Sequence, residues 1–545
     1  MISFCAGRRT SLAAFSLAVQ LLILSVPVAA QQPELQVVPA PPPPDGDPYY
    51  NFDVGGKVAI SDEWLAVADF TVNHATGEVY MYRRTPAGWE FRQRLVGEST
   101  GTAFGGALAI DGDRLVVGGW YWSGLLGKAY VFHCIDGVWT KVQEILPDGL
   151  VKDDHPQFGY AVALSGGVLA VGAREVDHPV ESAGELRVYE EEGGQWQAVA
   201  RFHVPLSSIA LDPHHLALGR SIAISGDTIV SGAPLFFGYV HVFERGTNGW
   251  VRSEIIENPS PVLGDSFGHA VAIEGDILVV GRPHRSGSPA IGKAFVFERG
   301  ADGTWHLQDE LRASDGFVDS DRGDLFGQSV ALVGDQIVVG ASRGRYSGPE
   351  TGTVYLFTRG PDGWPATETM RLVASDSSGM SDFLGESVAM HGGFIAAGAP
   401  GGWDEGIREG KAYTFAVELA EPYCEPSPTH TVLGVTGSAT VADDDLVLTL
   451  RGALEQVRVM YVYAGTRGVY PFGGSFLCLG APLARLGYGT TGPQGIALLD
   501  LNLGAPWLSS HLVPGSTWHF QAVHERQPGD GLLRVLTNAA SLTLR

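Results

Sequence analysis

One short acidic segment has the spacing of a metal site. In DSDRGD, the residues Asp319, Asp321 and Asp324 place carboxylates where a calcium ion could use them, since calcium prefers oxygen ligands. The alternative is a solvated loop in which Asp324 caps backbone amides, as Asp265 and Asp382 could do at matching positions. Capping is the favoured interpretation, and calcium is the only cofactor that the sequence suggests.

Aromatic residues and arginines form a second candidate site. They lie in the most variable connections of a repeated unit, between its second and third strands. Aromatic faces attract cations and arginine pairs with anions, so the set could hold a glycan or an anionic polymer at the mouth of a channel. The alternative is that these loops are merely long and exposed. The residues are Trp120, Tyr121, Trp122, Phe236, Phe237, Arg282, Arg285, Arg343, Arg345, Tyr346 and Trp403.

Known catalytic motifs are missing from the sequence. It contains no GxSxG elbow, no HExxH, no phosphate-cradling glycine loop and no Cys/His cluster with metal spacing. Carboxylates are plentiful, but their number without placement says nothing about acid/base chemistry. The sequence therefore predicts a protein that is not an enzyme, and a polysaccharide-active enzyme using charged loops is the alternative.

Charge and hydropathy limit the partners. The 545 residues carry a formal net charge of −24, which argues against nucleic acid and anionic membrane surfaces as partners. The first thirty residues have the pattern of an export signal, with Arg8 and Arg9, an apolar run over 12–26 and small residues up to Ala30, where we expect cleavage. No later stretch has the roughly 18 unbroken apolar residues of a membrane helix, so we expect a secreted or cell-surface protein.

Three cysteines remain once the signal is removed. Cys424 and Cys478 both fall in the last quarter of the chain and are the natural disulfide pair in an oxidising compartment. Cys134 is left over, and its place before a turn predicts an exposed free thiol.

A repeat of about 50 to 60 residues organises the middle of the chain. Each copy has two β-rich runs joined by a Gly-Asp or similar turn, a glycine that opens a third run, and in six copies a Trp that starts a fourth. Four antiparallel strands at this period are typical of a propeller blade, and seven copies predict seven blades. The copies begin at KVAI (57–60), ALAI (107–110), AVAL (161–164), SIAI (221–224), AVAI (270–273), SVAL (329–332) and SVAM (387–390).

The last copy predicts how the ring closes. After residues 413–417 it has neither Trp nor fourth strand, whereas the β-like segment 35–38 precedes the first copy. We therefore expect the amino-terminal strand to complete blade seven.

The domain organisation follows from these boundaries. We predict an all-β chain in which a seven-bladed β-propeller precedes a small β-sandwich-like domain, because six short β-rich runs without helical periodicity follow the repeats. The divisions are a signal peptide (1–30), a closing strand with a Pro-rich linker (31–50), the propeller (51–418), a linker (419–430) and the carboxy-terminal domain (431–545).

The repeated motif resembles a known family. FGHAVAIEGDILVVGR (267–282) and its equivalents are similar to the FG-GAP repeat of integrin alpha subunits and many secreted bacterial proteins, over residues 51–417. The tail, with Tyr423-Cys424, Leu477-Cys478 and Trp518, is similar to a carboxy-terminal domain of secreted planctomycete-type proteins. The resemblance implies an extracellular adhesion or interaction module that binds a protein or a glycan. A passive spacer with an anchoring tail is a further alternative.

Overall fold

A computed structural model describes most of the propeller and the strands on either side of it. The described residues are 30–32, 36–39 and 54–417, except for connections within 54–417, and the backbone of the strands between residues 421 and 543. The omitted connections are 71–75, 86–87, 99–101, 121–125, 151–155, 178–181, 205–216, 236, 262–265, 284–291, 317–322, 344–350, 361, 377–381 and 402–409.

Twenty-nine strands build the first part of the chain. Glycine turns and β-branched runs divide it into short strands, and no helix occurs among the described residues. The strands are β1 (Ala30–Gln32), β2 (Gln36–Pro39), β3 (Lys57–Ile60), β4 (Trp64–Asp69), β5 (Glu78–Thr85), β6 (Gly88–Val96), β7 (Phe104–Asp111), β8 (Arg114–Gly119), β9 (Lys128–Ile135), β10 (Val138–Ile145), β11 (Phe158–Ser165), β12 (Val168–Ala173), β13 (Glu185–Glu192), β14 (Gln195–His203), β15 (Ser221–Ser225), β16 (Thr228–Ala233), β17 (Tyr239–Gly246), β18 (Gly249–Glu257), β19 (Ala270–Glu274), β20 (Ile277–Arg282), β21 (Lys293–Arg299), β22 (Trp305–Leu311), β23 (Ser329–Val333), β24 (Gln336–Ala341), β25 (Thr353–Thr358), β26 (Met370–Leu372), β27 (Ser387–His391), β28 (Phe394–Ala399) and β29 (Lys411–Ala416).

These strands form a seven-bladed β-propeller. Five blades are antiparallel sheets of four consecutive strands, from β3–β6 to β19–β22. Blade six contains β23–β26, and blade seven contains β27–β29. The first strands of neighbouring blades lie alongside one another, so they surround the propeller axis while the fourth strands lie outermost. The all-β, seven-bladed fold predicted from the repeats is confirmed.

Two amino-terminal strands complete the last two blades. β2 pairs antiparallel with β29 in the register Gln36↔Thr414 to Pro39↔Lys411, and so takes the fourth position of blade seven. Val38 is 1% exposed there. β1 pairs parallel with the three-residue β26 and adds a fifth strand to blade six, which the repeat pattern did not predict.

The Phe-Gly pair forms a tight turn at the start of a blade. In blade six the Gln328 N–H donates to the Leu325 carbonyl (3.0 Å) across Phe326 and Gly327. Gly327 has φ +91°, and a Cβ there would lie 2.4 Å from the Lys293 carbonyl oxygen of blade five. Phe326 is fully buried with its ring against Tyr355, at 5.4 Å between centroids. The turn therefore needs glycine both for its backbone conformation and for contact with the neighbouring blade.

The core lies between blades. Each apolar cluster combines residues of two neighbouring blades, as where Trp139 of blade two packs edge-on to Trp64 of blade one at 5.5 Å. The six repeated Trp residues are all buried in this way, which gives them a packing role. They are Trp89, Trp139, Trp196, Trp250, Trp305 and Trp364.

A buried histidine in blade four should make the propeller sensitive to acid. His241 is 2% exposed, and burial together with the Arg252 guanidinium lowers its pKa to about 3. The unfolded chain gains the proton below pH ~6.5, so the contribution of His241 to the free energy of unfolding should fall between pH 6.5 and 3, by up to about 1.4 kcal/mol per pH unit. The raised pKa of Asp324 acts in the opposite direction, but equally in the wild-type and variant proteins. His241→Phe, which copies Phe295 at the equivalent position of blade five, should flatten this dependence.

The measurement is the urea midpoint at pH 7 and pH 5. Val251→Thr is the control in the same blade, since Val251 is 53% exposed and carries no titratable group. An equal loss of stability on acidification in the wild-type and His241→Phe proteins would contradict the assignment.

Ten strands follow the propeller. They are β30 (Glu421–Pro422), β31 (Val432–Thr436), β32 (Leu446–Arg451), β33 (Arg458–Ala464), β34 (Arg467–Phe472), β35 (Ser475–Leu479), β36 (Ala484–Thr490), β37 (Ala497–Leu501), β38 (Thr517–Glu525) and β39 (Arg534–Thr543). They form a five-stranded sheet (β30-β39-β38-β33-β36), a three-stranded sheet (β31-β32-β37) and a hairpin (β34-β35). The β-sandwich-like packing of this region remains a prediction.

The cysteines differ in what the structure says of them. Cys134 is a free thiol, as expected, but it is half-buried against the cluster between blades one and two and is not exposed. Cys424 lies outside the described residues, and nothing is described of the Cys478 side chain in β35, so their disulfide remains a prediction. Within the described ranges, no helix is long and apolar enough to span a bilayer.

Candidate binding site on the loop face

The two faces of the propeller differ in the connections they carry. Because the strands of a blade alternate in direction, the turns within strand pairs 1–2 and 3–4 lie on one face, and the connections 2–3 and 4–1 lie on the other. In blade two the turns within strand pairs are the two-residue turns Gly112-Asp113 and Asp136-Gly137. The connections on the opposite face are longer and run from Gly119 to Lys128 and from Ile145 to Phe158. We call the face with the short turns the hairpin face and the face with the longer connections the loop face.

One residue from every blade lies at the inner rim of the loop face. It follows the Phe-Gly pair, or its equivalent, directly before or at the start of the innermost strand. Its position is fixed by the Phe-Gly turn, so only the side chain changes from blade to blade. These rim residues are Gly56, Gly106, Tyr160, Arg220, His269, Gln328 and Glu386.

Rim residues of consecutive blades contact one another. Arg220 Nη1 donates to the Tyr160 hydroxyl at 2.8 Å, and Arg220 Nη2 lies 3.5 Å from His269 Nδ1. Across the ring, Gln328 Nε2 donates to Glu386 Oε1 at 2.9 Å. The rim therefore has a cationic and aromatic arc over blades three to five, and a polar pair with one carboxylate, Glu386, over blades six and seven.

Tyr160 is the centre of the aromatic arc. Arg174 places its guanidinium carbon 4.1 Å from the centroid of the Tyr160 ring, and that of Arg220 lies at 5.4 Å. Trp120 from blade two lies 5.3 Å from Tyr160, between ring centroids, at an interplanar angle of 45°. The cluster combines aromatic rings with two guanidinium groups, an arrangement suited to sugars and anions.

The two arginines of the arc differ in whether a carboxylate neutralises their charge. Arg174 Nη2 pairs with Glu175 at 2.8 Å, and Arg174 Nε donates to Gln157 Oε1 at 2.7 Å. Arg220 pairs with no carboxylate in the part of the chain that the structure describes. Arg220 is half-buried and carries the uncompensated positive charge of this arc.

Of the predicted loop residues, the structure brings Trp120 to this cluster, where it is 8% exposed. Arg282 is 4% exposed and donates to the Ser260 carbonyl at 3.2 Å, so it packs within the propeller. Phe237 is exposed. Arg343 is half-buried, and its backbone N–H donates to the Asp324 carbonyl. Outside the described residues lie Tyr121, Trp122, Phe236, Arg285, Arg345, Tyr346 and Trp403.

The acidic segment is described only at its end. Asp324 is 1% exposed, and its Oδ1 accepts the N–H of Phe326 at 3.0 Å, which is a capping contact. Burial raises the pKa of Asp324 to about 6. Asp319 and Asp321 lie outside the described residues, so calcium binding remains a prediction. The described residues include no group of three His, Cys, Asp or Glu that could hold a metal ion.

Comparison with known proteins identifies the repeat. A family model described as FG-GAP repeat matches residues 139–189, 261–297, 305–357 and 366–415. The chain contains FG-GAP repeats. These four matches lie within the seven-bladed propeller, as the Phe-Gly and Gly-Asp registers led us to expect. No curated protein matches the sequence.

Two solved structures share a distant likeness with this FG-GAP propeller. A protein from Lactobacillus plantarum is 15% identical with a TM-score of 0.40, and the match covers 59% of this chain and 86% of that one. A chain from a structure of the mitotic checkpoint complex is 13% identical with a TM-score of 0.45, over 76% of this chain and 99% of that one.

The rim was not predicted from the sequence, because most of the aromatic residues and arginines that vary between the copies lie in the connections between second and third strands. The signal was nonetheless present in the FG-GAP register, where the residue after each Phe-Gly changes while its neighbours recur. Arg174 follows the second strand in blade three, as Trp120 does in blade two. Comparing the residue after each Phe-Gly pair and the residue after each second strand across the copies would have predicted Tyr160, Arg174 and Arg220 as one cluster.

Proposed function

We propose that this FG-GAP propeller is an exported, non-catalytic binding module that holds an extracellular glycan on its loop face. The observation that supports the proposal is the Tyr160 cluster, where Trp120 and two guanidinium groups surround one aromatic ring at the inner rim. Sugars bind to such mixed aromatic and polar surfaces, and a rigid scaffold that carries long connections is typical of binding proteins.

Export is the second part of the proposal. The first thirty residues support export, because Arg8 and Arg9 precede an apolar run as in an export signal. Residues 1–29 lie outside the described residues. Cleavage after Ala30 would leave Gln31 and Gln32, whose backbone pairs with Arg371 and Leu372 in blade six. The mature chain would then retain β2 and two of the three residues of β1.

The test is a glycan and extracellular-matrix array with mature protein, residues 31–545, in the presence and absence of calcium. We expect binding to glycans that does not need calcium and that falls at least about tenfold when Trp120 and Trp122 are changed to Ala, because stacked aromatic groups contribute on the order of 1–3 kcal/mol. Arg83→Gln is the control, since Arg83 is a half-exposed surface residue paired with Glu63 beside the hairpin face.

Other outcomes distinguish the alternatives. Shortening of a bound polysaccharide would contradict the non-catalytic role, and calcium-dependent binding would point to Asp319 and Asp321. Cell-surface association of the separately expressed residues 431–545, together with an array that shows no binding by the propeller, would favour the spacer with an anchoring tail.

A further inference from the structure

We infer that the rim cluster recognises the carboxylate of a uronic-acid sugar, with Arg220 as its partner. The inference rests on the proposed glycan-binding function and names the class of glycan. Four observations on the described rim support it: an unneutralised guanidinium, adjacent aromatic rings, two glycine positions in the ring and a carboxylate, Glu386, on the opposite side.

Arg220 has the chemistry to bind a carboxylate. Its guanidinium has five N–H donors, of which one serves the Tyr160 hydroxyl (2.8 Å) and another lies near His269 (3.5 Å). The planar fork matches a carboxylate in two parallel hydrogen bonds. The rings of Tyr160 and His269 on either side fix its direction, so that donors are positioned before any ligand arrives.

We place the sugar ring over the rim positions of blades one and two. The rim residues of blades one and two are Gly56 and Gly106, which carry no side chain. The indole of Trp120 occupies the position next to Gly106, since a Cβ on that glycine would lie 2.2 Å from Trp120 Nε1. The rings of Trp120 and Tyr160 thus border a sector of the rim where no other rim side chain projects.

The charge balance favours one carboxylate over a densely sulfated polymer. Glu175 neutralises Arg174 at 2.8 Å, which leaves Arg220 as the single uncompensated cation of the arc. Glu386 lies across the ring, and the whole protein carries −24. A ligand with many closely spaced anions would meet repulsion from both, whereas a sugar with one carboxylate can place it on Arg220.

The experiment compares uronate oligosaccharides with their methyl esters. Mature protein (residues 31–545) is titrated calorimetrically with otherwise neutral oligosaccharides that carry a single galacturonate, glucuronate or mannuronate residue, each beside its methyl ester, at low and at physiological salt. We expect at least one free acid to bind at least tenfold more tightly than its ester and to weaken as salt increases.

Variants then assign the effect to the rim. Arg220→Gln should abolish the preference for the acid, Arg220→Lys should retain part of it because the charge remains without the fork, and Arg83→Gln should leave affinity unchanged. Equal melting temperatures of the variants and the wild type establish that the fold is intact, and Arg220→Lys serves for the comparison if Arg220→Gln does not fold.

The outcomes separate this inference from the function beneath it. Equal affinity for acid and ester, or an acid preference that survives in both Arg220 variants, would overturn the uronate assignment. If neutral glycans bind and lose affinity in the Trp120 variant, the glycan-binding function holds while the uronate inference fails. If no glycan binds in either assay, both fail.

Discussion

Removal of residues 31–40 should lower the melting temperature of the propeller by about 5 to 10 °C, a large effect for ten residues. The deletion removes both amino-terminal strands, exposes β29 as an unpaired edge and uncovers the cluster that buries Val38. Loss of one buried aliphatic side chain and several hydrogen bonds amounts to about 5 kcal/mol, which corresponds to this shift for a domain of the propeller's size.

A side-chain clamp explains why so short a strand matters. Gln36 Nε2 donates to the Trp89 carbonyl (2.9 Å) and Gln36 Oε1 accepts the Trp89 N–H (2.6 Å), which joins blade seven to blade one. Gln93 makes the same two bonds to Trp139 at 2.8 and 2.7 Å. The amino-terminal strand therefore reproduces both the position and the interblade contact of an ordinary fourth strand.

Controls can separate closure from local packing. Gln93→Ala removes an identical clamp inside the ring and should lower the melting temperature by only about 1 to 4 °C, as should Gln36→Ala, because each loses two hydrogen bonds. A peptide of residues 31–40 added to the deleted protein should restore most of the lost stability by strand addition. A deletion variant with the same melting temperature as the wild-type protein would show that β2 does not close the ring.

The sequence predicted the blades well because their signals are local. Phe326-Gly327 and Gly334-Asp335 each specify a turn through residues adjacent in the chain, and seven repetitions strengthen a pattern that would be weak once. Closure by residues 36–39 could also be predicted, since the last copy lacks a strand that the amino terminus can provide.

The parallel strand β1 and the binding rim were harder to predict. Pairing of Ala30–Gln32 with β26 depends on the unusual shortness of β26, which leaves blade six an open edge. The rim joins Tyr160, Arg220 and His269, which are 49 to 60 residues apart and meet only once the blades form a ring. No local period encodes such a contact.

Gly232→Ala should destabilise the propeller by about 3 kcal/mol or more, lowering its melting temperature by at least about 4 °C. Gly232 lies in β16 of blade four, and a Cβ there would lie 1.9 Å from the Gly268 carbonyl oxygen of blade five and 2.4 Å from Ser221 Oγ. Ser221 Oγ donates to that same carbonyl at 2.8 Å, so the added methyl group would separate the blades and break this bond.

Gly246→Ala is the matched control in the same blade. Gly246 is exposed at the end of β17, and its Cβ would meet nothing closer than 3.8 Å, so stability should change by less than about 0.5 kcal/mol. Thermal melting of both variants checks the prediction. Blade one already has an alanine at this position. Ala68 is equivalent to Gly232, and it packs against Gly105 of blade two. If Gly232→Ala melts at the same temperature as the control, blades four and five can move apart to fit a methyl group, as blades one and two do at Ala68. Close contact between glycines would then not determine the distance between blades.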